Sequence, residues 1–137
     1  MQCLIADPPW QFHTSVCGRG LCPYPSMTVD QICALPVKKY FKKPCALFLW
    51  TTNAHLPQAC RVMHDGFAYK TVYCHWVKTK KGKPVKRNGF YSKKSSEMLL
   101  LGAKGSIRKH MRKKADQLLF VEYGRHSEKL VEVHKII

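Results

Sequence analysis

The stretch "CALFLWTT", residues 45–52, constrains the fold more than any other part of the chain. It runs without a charged residue between Pro44 and Asn53. A strand with one wet face alternates apolar and polar side chains. An unbroken apolar run instead reads as a strand buried on both faces. A sheet that contains such a strand needs cover on each side.

The neighbouring segments supply candidates for that cover. Residues 2–6, "QCLIA", read as a short buried strand ending at Asp7. Residues 11–27 read as loop. Thr28 and Gln31 have capping-box spacing, and Pro36 limits the helix that they open. A second helix is predicted over 56–64, with Asn53 or a neighbour as cap, Pro57 in its first turn and Gly66 at its end. Residues 67–77, "FAYKTVYCHWV", are aromatic and β-branched and predict a strand. So do "EMLLLGAK" and "QLLFVEY". Trp50 and Trp76 read as core. Basic loops are expected over 78–95 and 104–115, and a last helix, capped by Ser127, over "EKLVEVHKII". Strands that alternate with helices imply an α/β fold with a largely parallel sheet. At 137 residues the chain is expected to be one domain, 1–137.

Charge narrows the partner. The formal net charge is +16, and between Gly66 and Ala115 the only acid is Glu97. Two basic clusters lie in that stretch, "KTKKGKPVKRNGFYSKK" and "KGSIRKHMRKK". Such asymmetry is the footprint of a polyanion, and nucleic acid is the expected partner. Membrane-surface binding would want an amphipathic basic helix, which Gly82, Pro84 and Gly89 break. No apolar run approaches the roughly 18–20 residues of a membrane span, and no signal-peptide pattern opens the chain. An intracellular protein, cytoplasmic or nuclear and not secreted, is expected.

Seven scattered cysteines form an odd number, which suits reduced thiols better than a disulfide framework. His13, Cys17 and Cys22 offer metal-type atoms, but no CxxC pair accompanies them. No metal site is expected. A zinc-dependent base deaminase would need H-x-E and P-C-x-x-C signatures, which the chain lacks.

The chemistry concentrates in "DPPW", Asp7, Pro8, Pro9 and Trp10, at the end of the first strand. In open α/β sheets ligands bind beyond the carboxyl ends of strands. The prolines fix φ, lack an N–H and leave their carbonyls free to accept. The turn is therefore rich in acceptors, with an aromatic beside it. An amino group on an aromatic ring suits that set. Two acceptors on its hydrogens localise the nitrogen lone pair, and the carboxylate stabilises the cation that develops when an electrophile arrives. Trp10 or a nearby aromatic would stack on the base. The competing reading is a strand-ending turn with Trp10 packed in the core.

D-P-P-W is also the motif of amino-methyltransferases that use S-adenosylmethionine. Five further blocks follow it in order: "YPSM" with "ICALPV", "LFLWTTNAHL", "WVKTKKGK", "SEMLLLGAKG" and "HSEK". In this order the chain resembles the MT-A70 family of N6-adenine methyltransferases, across nearly its whole length. The resemblance implies a Rossmann-like methyltransferase fold, shortened here at the C-terminal end. It implies methyl transfer from S-adenosylmethionine to adenine N6 in DNA or RNA, without a metal. By position, Asp7, Pro8, Pro9 and Trp10 form the catalytic turn. Asp7, Pro8 and Lys129 would contact the cofactor. Tyr24, Lys78, Lys80, Lys81, Lys83, Lys86, Arg87 and Glu97 would contact the substrate. The loop "QFHTSVCGRGLCP" is longer than the family's, and Leu130 stands where the family usually has proline. Family members continue past the last helix into a strand whose following loop holds the cofactor's ribose and adenine. A homo- or hetero-dimer partner that completes the cofactor site is therefore an expectation. The alternative is a catalytically silent nucleic-acid-binding subunit that supports an active partner.

Overall fold

Residues 45–51 form the most deeply buried strand. In the computed structural model, which describes residues 1–11, 25–89, 91–111 and 114–122, all seven residues of β2 (Cys45–Thr51) are buried. Its side chains divide by parity, as the pleat requires. Cys45, Leu47 and Leu49 pack with Ile32, Ala59, Met63 and Phe67 beneath the helices. Ala46, Phe48 and Trp50 pack on the opposite face with Cys74, Trp76 and Ile107. Both faces are covered, as the unbroken apolar run demands.

β1 (Gln2–Ala6) lies parallel to β2, with Leu4 opposite Leu47. Between them come α1 (Val29–Ala34) and a single turn, α2 (Val37–Tyr40), which the sequence did not announce. The predicted capping box is present: Thr28 Oγ1 accepts from the Gln31 N–H at 3.2 Å, and Gln31 Oε1 accepts from the Thr28 N–H at 2.8 Å. Leu35, just before Pro36, is extended, which ends α1.

After β2, α3 (Leu56–His64) follows with Pro57 in its first turn, and Gly66 beyond its end has φ 119°. Its cap is a neighbour of Asn53. Asn53 sits in a preceding 3-10 turn, Asn53–His55, and the cap residue is His55, whose side chain makes no capping bond. That imidazole is engaged elsewhere, as described below.

β3 (Ala68–Lys80), β5 (Ser96–Lys104) and β6 (Leu118–Glu122) appear where strands were expected. β3 runs three residues further than predicted, taking Lys78, Thr79 and Lys80 out of the expected loop. Lys81 and Gly82, with φ of 51° and 72°, then turn the chain into β4 (Lys83–Pro84). Parallel pairing with β6, from His75 to Thr79, holds that extension as strand. Such a contact leaves no local trace in a lysine-rich sequence. The described residues of the second basic segment after β5 are loop apart from one 3-10 turn, Arg108–His110, and bury Ile107.

The sheet order is β1-β2-β5-β3, with β6 and β4 also paired to β3. The parallel share is smaller than expected. β1–β2 and β3–β6 are parallel, whereas β2–β5, β5–β3 and β3–β4 are antiparallel. Among the described residues no helix lies between β3 and β5 to carry the chain back across the sheet, and β5 returns in the opposite direction and slots between β2 and β3. β1, β2, β3 and β6 nevertheless point the same way. The mixed α/β architecture is compatible with a Rossmann-like fold. The last predicted helix lies outside the described residues.

Two packing details matter later. A Cβ built on Gly102 of β5 would lie 2.0 Å from Met63 Sδ of α3, so glycine is what lets this helix sit close on the sheet. Trp50 and Trp76, each 2% exposed, meet edge to face at 6.2 Å. Cys74 is also fully buried in this layer, and burial pushes its thiol up to about 11. Among the described residues, Cys3, Cys33, Cys45, Cys60 and Cys74 form no disulfide, and no helix is long and apolar enough to cross a membrane.

Candidate active site

β1 ends at Ala6, and the next four residues make the D-P-P-W turn at the carboxyl edge of the sheet. Asp7 is exposed, Pro8 and Pro9 are half-buried, and Trp10 is buried. The Trp10 N–H donates to the Pro8 carbonyl at 2.9 Å, closing a three-residue turn centred on Pro9. An inverse γ-turn needs φ near −75° at its centre, close to the value that proline enforces. The Pro9 carbonyl accepts from the Met27 N–H at 2.8 Å. The proline carbonyls are therefore not free, as the sequence reading had them. Each has one backbone donor, and a carbonyl's second lone pair remains for a ligand.

The indole of Trp10 packs inward. Its Nε1–H donates to the Trp50 carbonyl at 3.1 Å, and its ring stacks on His55 at 5.8 Å with 20° between planes. Of the two readings of this tryptophan, the packed one describes its position. It secures the turn to the end of β2.

His55 adds a second tie that the sequence reading missed. Its Nε2 lies 3.1 Å from the Gln11 carbonyl and its Nδ1 lies 2.9 Å from Thr52 Oγ1. A carbonyl can only accept, so in neutral His55 Nε2 carries the proton and Nδ1 accepts from the Thr52 hydroxyl. His55 is 6% exposed, a burial that no local pattern in the sequence announces.

Thr52, Asn53 and Ala54 also wall a cleft of about 490 Å³, lined further by Lys78, Arg87, Tyr91, Lys94 and Glu97. The turn and the cleft thus share one wall segment. Of the predicted substrate residues, Lys78, Arg87 and Glu97 line the cleft. Lys80, Lys81, Lys83 and Lys86 are exposed and do not line it. Lys78 has a structural engagement: its ammonium pairs with Glu97 and sits 4.6 Å from the centre of the Trp76 ring. Arg87 and Lys94 exchange backbone hydrogen bonds at 2.9 and 2.7 Å, which brings two basic residues side by side. Tyr24 and Lys129 lie outside the described residues, as do His13, Cys17 and Cys22.

A second, smaller pocket of about 80 Å³ lies between the sheet and the helices. Pro8, Leu4, Ala6, Ile32, Val62 and Phe67 line it, with Asp65 at the same site. It is almost wholly apolar, which gives the underside of the D-P-P-W turn a dry seat.

The MT-A70 family model matches residues 1–137, the whole chain. The chain belongs to the MT-A70 family. Among curated proteins none matches it significantly. MT-A70 proteins are S-adenosylmethionine-dependent methyltransferases. The turn fits that cofactor in chemistry: an exposed carboxylate and carbonyls with a remaining lone pair suit a molecule that carries a sulfonium and an ammonium. Asp7 and Pro8 are the described residues of this MT-A70 chain that would hold it.

Proposed function

We propose that this MT-A70 chain transfers a methyl group from S-adenosylmethionine to the N6 amine of adenine in nucleic acid. One observation carries the reading. An exposed carboxylate stands on a turn tied twice to residues 50–55, and that same segment walls a cleft that Arg87 and Lys94 also line. An amine donor is met by acceptors, and a polyanion by cations.

The cofactor, when bound, supplies an electrophilic methyl on a sulfonium. Asp7 and a proline carbonyl accept the two amine hydrogens and localise the nitrogen lone pair. The cofactor, held by Asp7 and Pro8, would supply the methyl to that nitrogen and would keep the electron pair of the bond it gives up. The nitrogen becomes cationic beside the Asp7 carboxylate, which stabilises it, and it then sheds one proton to solvent. The paired Lys78 and Glu97 offset each other's charge in the cleft, while Arg87 and Lys94 screen phosphates.

The test is methyl incorporation from labelled S-adenosylmethionine into adenine-containing oligonucleotides. Asp7→Ala is expected to lower the rate by roughly 10²–10³-fold, the usual cost of removing one preorganised electrostatic group. Because Asp7 is exposed, the melting temperature should hold. Equal incorporation by both proteins would remove Asp7 from the chemistry. The silent-subunit reading shares the basic cleft but gives the exposed Asp7 no task. Oligonucleotide binding by the wild type without any cofactor binding in calorimetry would favour it.

A further inference from the structure

The D-P-P-W turn needs an aromatic face for the base, and the structure turns its own tryptophan away. Trp10 is 7% exposed, its Nε1–H is bonded to Trp50, and its ring face lies against His55. Trp50 and Trp76 are each 2% exposed. Among the described residues that line the cleft, Tyr91 is the aromatic one. Its side chain is fully exposed, at 103% of the reference value.

Tyr91 is also presented by a built loop. The Arg87–Lys94 backbone bonds bring together the two ends of the segment that carries Tyr91. At Gly89 a Cβ would lie 2.5 Å from the Ser92 carbonyl oxygen, so the loop folds back on itself with no room for a side chain there. The ring therefore projects from a tight loop whose base carries two cations.

We propose that Tyr91 is a stacking platform for an unpaired nucleobase of the strand held at the cleft. The proposal rests on the nucleic-acid reading given above and sharpens its substrate class. A base inside a duplex has both faces covered by its neighbours. A protruding side chain can stack only on a base that is unstacked, in a single strand, a loop or a flipped position. The flanking Arg87 and Lys94 hold the backbone whatever its sequence, and the ring adds an attraction that depends on a base being there.

Fluorescence anisotropy on the full chain tests this, with three labelled probes of equal length: single-stranded oligo-adenylate, the same backbone made abasic, and a duplex. The wild type is expected to bind oligo-adenylate about ten-fold tighter than the abasic strand, the scale of one base–aromatic stack. Tyr91→Ala should erase that preference and leave abasic and duplex affinities unchanged. Tyr91→Phe, which keeps the ring face, should retain it. A full preference in Tyr91→Ala overturns the proposal, and so does its loss in both variants. A wild type that binds all three probes equally overturns Tyr91 alone. A wild type that binds none of them overturns the nucleic-acid reading as well.

Discussion

A single hydrogen bond decides what Trp10 does. From the motif alone, an indole after two prolines serves substrate or core equally well, because either role places an aromatic at a strand end. The bond from Nε1 to the Trp50 carbonyl requires a partner forty residues away, which local sequence does not specify. Trp10→Phe keeps the ring and removes the donor. It should destabilise the fold by about 1–3 kcal/mol in urea melts, because the buried bond to the Trp50 carbonyl and part of the indole's packing are lost. Asp7, by contrast, was legible from chemistry: it is the acid at a strand's carboxyl end and is exposed there. The proline carbonyls were half legible. Their acceptor character follows from proline, but their partners, Trp10 N–H and Met27 N–H, come from the turn's geometry. His55 went unread because a lone histidine after a strand has no pattern to distinguish it.

At the level of elements, what the sequence made plain is what short-range physics controls. The capping box at Thr28, Pro57 in the first turn of α3 and the apolar β2 all stand where expected. What it hid is pairing. The direction of β5 depends on a missing crossover helix, and the extra strand length at 78–80 depends on β6. The seat of α3 on β5 is likewise a matter of contact. Gly102 reads as a weak spot within a strand, yet it accommodates Met63. Gly102→Ala forces the thioether aside and should cost about 1–3 kcal/mol, the range for overpacking a filled core. Combining it with Met63→Ala should give a double mutant more stable than the sum of the two single losses predicts, because both act on one volume. Thermal or urea melts of the three proteins measure that coupling.

The whole molecule carries a charge of +16, distributed so that one long stretch holds a single acid. That acid, Glu97, pairs with Lys78 at the cleft, and the same stretch places Arg87 and Lys94 in the cleft lining, so cations outnumber acids there. Oligonucleotide binding should therefore depend steeply on salt. If about four phosphates are contacted, affinity should drop roughly 10²-fold between 50 and 200 mM monovalent salt, as an anisotropy titration series would show. A flat dependence would mean that the charge serves something other than a polyanion. The charge asymmetry was fully visible in the sequence. Which lysines face the cleft was not, since a run of like residues looks the same on every side until the backbone fixes it.

β2 has a consequence for the chain before it folds. Seven consecutive uncharged residues, rich in side chains that favour extended structure, make a segment prone to cross-β self-assembly whenever it is exposed. In the folded protein the sheet hides it completely. In a nascent or unfolded chain, two exposed-type lysines and a proline, Lys42, Lys43 and Pro44, stand directly against its leading end. Charge repulsion and a missing amide hydrogen at that border act as gatekeepers. The strand that anchors the D-P-P-W turn is thus also an aggregation hazard, and its safeguard is written immediately before it.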